Sequence, residues 1–164
     1  MPDRDYVQDV LQISFSGVFD FDGLYKALVE WFKKHRYVFK EIDYKEFREE
    51  GSRNLQLVWE GKRKVTDYLK DVIEVNLKLS KYENVAVNNR KRVKGALSLR
   101  IAAYLEKDYE ERWSKKAWLK FMREAYDKYV LGGRNKLVQD ELVQEMNLLR
   151  NEIKAFLNLY KTGK

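Results

Sequence analysis

Few residues in this chain are placed to do chemistry, and the first to consider are Asp20 and Asp22 in the run FDFDGLYK. Two carboxylates two residues apart and followed by Gly23 could open a calcium loop. Such a loop needs further oxygen ligands at about alternate positions and a glutamate near the twelfth, but the next residues are Leu24, Tyr25, Lys26 and Ala27. The same aspartates suit the start of a helix. One would cap it and the other would sit in its first turn, where unpaired N–H groups and the positive end of the dipole favour negative charge. Capping is therefore the expectation.

A second set is nuclease-like. Asp43 precedes Glu60-Gly61-Lys62, and an acid followed by E-x-K is how several metal-dependent nucleases hold Mg²⁺ and a water: carboxylates bind the ion and lysine stabilises charge at the phosphate. E-x-K is a common tripeptide in a chain with 33 Lys and Arg and 26 Asp and Glu, and strands follow where that fold would place a helix. Asp71 lies on the apolar face of a candidate strand. It could join a carboxylate cluster or protect a sheet edge as an inward charge. The single histidine, His35 in KKHRY, has no second histidine to work with and suits the surface near a helix C-terminus.

The chain has no cysteine, which excludes disulfides, a thiol nucleophile and a thiolate metal site and fits a reducing cytoplasm. No G-x-S-x-G, P-loop or G-x-G-x-x-G occurs. The expectation is a protein that is not an enzyme, with no catalytic or metal-ligating residue, no cofactor and no small-molecule substrate.

The basic residues are more informative. The net charge is +7, a balance that favours anionic partners or simply solubility. Arg90, Lys91, Arg92 and Lys94 are expected at a hairpin tip. Lys62, Arg63 and Lys64 follow Trp59, and Lys33, Lys34 and Arg36 close the first helix. Such groups bind phosphate backbones, and a β-ribbon can enter a groove. Trp59, Tyr82 or Tyr104 could stack on bases if they faced outward.

The hydrophobic pattern indicates what positions these groups. Leu11, Ile13, Phe15, Phe19 and Phe21 alternate with Gln12, Ser14 and Ser16, the period of a half-buried strand. From Leu24 the period becomes helical, with Leu24, Ala27, Leu28, Trp31 and His35 on one face. YVFKEIDYKEF, NLQLVWEGKRKV, YLKDVIEVNLKLS and RVKGALSLRIAAYLE read as four more strands. REEGSRN separates the first two. ENVAVNNRKRVKG reads as a hairpin tip, where Asn88-Asn89 suits a turn with positive φ.

Two helices should follow. The first starts at Ser114, carries Trp118, Phe121, Met122, Ala125, Tyr126 and Tyr129 on one stripe, and stops at Gly132-Gly133. The second has a heptad-like seam of Leu142, Met146, Leu149, Ile153, Phe156 and Tyr160, too short for a free coiled coil and suited to docking on a sheet. The order β-α-β-β-β-β-α-α predicts an α+β fold, an antiparallel sheet of about five strands with three helices on one face. The whole chain, 1–164, reads as one domain, with a strand-rich part at 10–106 and a helical pair at 114–160. No membrane span or signal peptide is expected. A cavity could remain between sheet and helices, though Trp31, Trp118, Phe121 and Phe156 are expected to fill it as core.

The runs FDFDGLYKALVEWF, WLKFMREAYDKYV and EIKAFLNLY resemble a group of small uncharacterised archaeal proteins over residues 10–160. The resemblance implies a single cytoplasmic domain and transfers no activity and no site residue. With no coherent catalytic set, the expected function is an interaction or assembly scaffold that binds a protein partner or itself. The alternative is nucleic-acid binding through the basic hairpin tip.

Overall fold

The computed structural model describes residues 3–6, 10–66, 69–107 and 131–161. The strands are β1 (Asp3–Tyr6), β2 (Leu11–Phe19), β3 (Val38–Glu49), β4 (Ser52–Lys64), β5 (Leu69–Val87) and β6 (Arg90–Lys107). The helices are α1 (Phe21–Lys34) and α2 (Leu131–Lys161). The expected helix over 114–130, with its aromatic stripe, lies outside the described residues, so two helices are described rather than three. Gly132 and Gly133, expected to stop that helix, instead lie within α2, although glycine disfavours a helix interior.

β3, β4, β5 and β6 form an antiparallel meander, and β6 continues to β1 and β2 in the order β1-β6-β5-β4-β3. β2 pairs with β6 from Leu11↔Ile101 to Phe19↔Val93, and β1 pairs with the far end of β6 from Tyr6↔Tyr104 to Asp3↔Lys107. The two short strands therefore share one edge, and the sheet is five strands wide. β1 was not expected, because DRDY has no apolar alternation; it pairs because β6 runs on past the end of β2. β3 is the opposite edge.

α1 carries the chain across one face of the sheet between those edges. Asp20 caps it, its Oδ1 accepting from the Gly23 N–H at 3.0 Å, and Asp22 lies in the first turn. Leu24, Leu28, Trp31 and Phe32 are buried. The helix ends in a Schellman turn: the Tyr37 N–H donates to the Phe32 carbonyl at 2.8 Å and the Arg36 N–H to Lys33 at 3.0 Å. Arg36 occupies the left-handed position at φ 66°. Phe32 and Tyr37 pack edge to face, 5.7 Å between centroids, completing the motif. This end of α1 rests on Gly61 of β4, where an added Cβ would overlap the Phe32 ring and lie 3.3 Å from Tyr37 Cβ.

α2 covers the same face through Leu142, Met146, Leu149, Ile153 and Leu157. The last step follows the 3.6-residue period, so Leu157 takes the buried place expected of Phe156, which is half-buried. One core unites both helices with Ile13, Phe15 and Phe19 of β2, Leu55, Leu57 and Trp59 of β4, the odd-numbered residues Ile73–Leu79, and Val93 with the odd-numbered residues Leu97–Leu105. Between α1 and α2 the remaining space is about 10 Å³, no more than one water needs.

Candidate interaction surface

The seven basic residues expected to contact nucleic acid lie in two places. Lys62 pairs with Val72 and Arg92 with Val85, thirteen residues apart on β5, or about 40 Å along a strand. Arg63 is not a surface cation. Its Nη2 lies 2.6 Å from Asp71 Oδ2 and its Nη1 2.8 Å from Glu145 Oε1 and 3.1 Å from the His35 carbonyl. The guanidinium also lies over the Tyr37 ring, whose hydroxyl donates to Glu145. Lys62 reaches Glu106 at 3.0 Å and Glu60 at 3.6 Å, while Lys64 is exposed. Asp71 is buried on β5, a central strand, so it protects no edge; its inward charge serves Arg63. His35 is half-buried rather than at the surface. Its ring stacks on Trp31 at 4.1 Å, with Nδ1 2.9 Å from the Trp31 carbonyl.

At the other end the expected hairpin tip is a tight one. β5 and β6 run to Val87 and Arg90 and join through Asn88 and Asn89 alone, both at positive φ. Arg90, Lys91 and Lys94 are exposed, and Arg92 is half-buried beside Asp20 at 3.8 Å. The aromatic candidates for base stacking, Trp59, Tyr82 and Tyr104, are all buried. Asp43 and Glu60 sit on separate strands. Among the described residues no three His, Asp or Glu side chains could hold a metal ion.

What the fold brings together instead is an open strand and a cleft. Among the described residues β3 has no neighbouring strand on its outer side, and all twelve of its residues except Phe39 and Phe47 are exposed. Val38, Ile42 and Tyr44 are exposed apolar side chains on it. Its register shifts at Ile42, between Glu41 and Asp43, so the strand has two parts. Before the bulge, Glu41 accepts from the Tyr25 hydroxyl at 3.0 Å and from Trp59 Nε1 at 3.3 Å, fastening β3 to α1 and β4. After it, Asp43–Glu49 pairs regularly with β4 down to Ser52.

That second part borders a cleft of about 190 Å³ at the N-terminus of α1. Leu55, Leu79 and Val93 form its floor, Phe21, Tyr44 and Tyr82 its walls, and Asp20, Asp22, Glu46, Arg53, Lys91 and Arg92 its rim. A β5 bulge shapes it. Lys81 has φ 51°, and its N–H donates to Oδ1 of buried Asn54 at 3.2 Å, turning Tyr82 inward. Glu46 Oε1 accepts from Tyr82 Oη at 2.6 Å and from Arg53 Nη2 at 2.7 Å and Nε at 3.2 Å. Among the described residues Oε2 holds the Tyr44 hydroxyl alone, at 3.4 Å. Tyr82 and Arg53 hold the Glu46 carboxyl below its usual range, while burial pushes Tyr82 up to about 12. The cleft is smaller than the roughly 300 Å³ at which enclosed small-molecule sites begin and large enough for one side chain. Neither β3 nor the cleft was foreseen as a site, because edge position and cleft both depend on strand order; the exposed VFKEIDYKEF run was the available signal.

The architecture is that of an α+β protein, an antiparallel sheet with helices on one face. No protein-family profile and no curated protein matches the chain. The solved structure of an uncharacterized protein from Rhizobium leguminosarum aligns with 93% of this chain and 99% of its own, at 11% identity and a TM-score of 0.16, an overlap that carries no argument. Among the described residues no helix is long and apolar enough to cross a membrane.

Proposed function

We propose that this protein is an interaction module that takes an extended protein segment along β3. The observation that carries this reading is the regular, unpaired stretch Asp43–Glu49 beside a cleft sized for a side chain. A strand added to an open edge gains main-chain hydrogen bonds, and a neighbouring pocket selects among side chains. Tyr44 and Glu46 belong to both the edge and the cleft, so one ligand would engage both. The test is selection of binders from a random peptide library. Selected peptides should protect the β3 amides from hydrogen exchange and lose binding to Tyr44→Lys. Protection elsewhere, with binding unaffected by that substitution, refutes the reading.

A second reading, nucleic-acid binding, is favoured by the ribbon beyond Tyr82, where most of Glu83–Lys91 is exposed and Arg90, Lys91 and Lys94 carry the charge. Duplex and single-stranded DNA and RNA should then bind more weakly as salt rises, and Arg90→Ala with Lys91→Ala should reduce binding. Absence of binding at low salt removes this reading.

A further inference from the structure

We infer that the segment β3 takes is β3 of a second copy of this chain, paired antiparallel about a two-fold axis through Phe47. The inference rests on the proposed reading of β3 as a docking edge and names its occupant.

Two identical strands paired antiparallel within one continuous sheet place residues of the same face directly opposite each other. After the Ile42 bulge, Tyr44 and Glu46 pair with the core-facing Leu57 and Leu55, whereas Lys45 pairs with Gln56 on the other face. The axis can then fall on any of five residues, Tyr44 to Arg48, and centring on Tyr44 pairs Asp43 with Lys45 but leaves a ladder of only three residues, 43–45, against five, 45–49, about Phe47. Centring on Lys45, Glu46 or Arg48 sets a charge against its own copy, and like charges directly opposite destabilise a sheet. Centring on Glu46 also sets Asp43 against Glu49. Centring on Phe47 does none of this. It sets Phe47 against Phe47, Lys45 against Glu49 and Glu46 against Arg48, each charged pair occurring twice by symmetry.

Three of the four charges involved, Arg48, Lys45 and Glu49, are exposed and make no ion pair at home among the described residues. The Lys45 ammonium lies instead over the Phe47 ring at 5.4 Å. Lys45 and Glu49 lie about 13 Å apart along one strand, too far to meet, yet the two-fold puts them face to face. On the core side, Arg48 of the second copy meets Glu46, whose Oε1 is filled by Arg53 and Tyr82 while Oε2 holds one long contact. The bulge at Ile42 throws the preceding residues out of phase and sets one limit of the new ladder. The other is the β3–β4 turn, where Glu50 has φ 52°.

The absence of cysteine from the chain makes the register directly testable. At the axis the two Cα atoms of Phe47 would be about 4.5–5.5 Å apart, within disulfide range. Phe47→Cys should form a covalent dimer on mild oxidation. Asp43→Cys, whose copies would lie about 26 Å apart, should not. In sedimentation over a concentration series, Lys45→Glu and Glu49→Lys should each weaken self-association about tenfold, and the two together should restore it.

Equal cross-linking of the two cysteine variants, or charge reversals that leave association unchanged, overturns the register. A chain that stays monomeric throughout the series overturns the second copy as occupant. Peptides that protect β3 amides in that same monomeric chain would leave the docking edge standing with a different partner, so the two failures are distinguishable.

Discussion

Asp71 offers the sharpest test of how the core is wired. It faces inward from β5, 2% exposed. Oδ2 takes the Arg63 guanidinium at 2.6 Å, and Oδ1 has no hydrogen-bond partner among the described residues. Arg63 is shared with Glu145, so one cation serves two carboxylates, and Glu141 adds negative charge nearby. Burial pushes the Asp71 carboxyl up from 3.8 to about 6; Arg63 opposes the rise, while Glu145 and Glu141 add to it. Between those values the folded chain keeps a proton that the unfolded chain has released. Linkage then requires stability to fall as pH rises through that window. At 1.36 kcal/mol per pKa unit the rise corresponds to about 3 kcal/mol. Asp71→Asn imitates the protonated carboxyl and removes the titration. Urea unfolding of both proteins from pH 4 to 8 should show the native chain losing about 2 kcal/mol relative to the variant across the lower half of that range, the rest of the ~3 kcal/mol falling on either side of it. A difference that stays flat, or grows with pH in favour of the native chain, would mean that attraction to Arg63 outweighs burial and would refute the argument.

Three further substitutions test local geometry. Arg36→Gly removes a side chain from the left-handed position that closes α1 and should stabilise the protein by about 1 kcal/mol in chemical denaturation. Gly61→Ala forces a methyl into the Phe32 ring and the Tyr37 stem and should cost about 1–3 kcal/mol, with the near-ultraviolet dichroism of the Trp31–Phe32–Tyr37 cluster altered. Asn54→Ala strands the Lys81 N–H and should cost about 1–3 kcal/mol, with faster hydrogen exchange at Lys81 and weaker binding of any ligand of the cleft.

The layer structure was legible because burial in it is periodic. Leu97, Leu99, Ile101, Ala103 and Leu105 are buried at every second residue, as their spacing predicts, and of the two aspartates of which one was expected to cap α1, Asp20 does so. The turn at Asn88-Asn89 was legible too, since two asparagines in sequence favour positive φ. The site was not. Arg63 looks like its neighbours Lys62 and Lys64 until β4, β5 and α2 converge on it. Asp71 looked like an edge guard because nothing local shows that β5 has a strand on each side. Tyr104 lies opposite the core-facing residues of β6 and is nonetheless buried, packed against Tyr6 of the unexpected β1 and beneath Arg4. Each of these depends on which strands are neighbours, and one strand's pattern carries no information about the next.

The placement of the β3 bulge bears on whether the open edge is a defect or a device. Natural sheets blunt their edges with bulges, charges and short strands. A bulge set in the middle of Val38–Glu49 with nothing else to hold either half would disrupt the whole strand. Here the half before Ile42 is fastened by Glu41 to Tyr25 and Trp59, and the half after it keeps an unbroken register to Ser52. The protection is therefore one-sided, and the unprotected half is the one beside the cleft. Its charges run in an order that refuses three of the five self-pairings available, and of the two it permits only the one about Phe47 spans more than three residues. Charges whose only role was to repel other chains would do better as a run of one sign, so the mixture of Lys45, Glu46, Arg48 and Glu49 fits selection for a particular neighbour better than general avoidance.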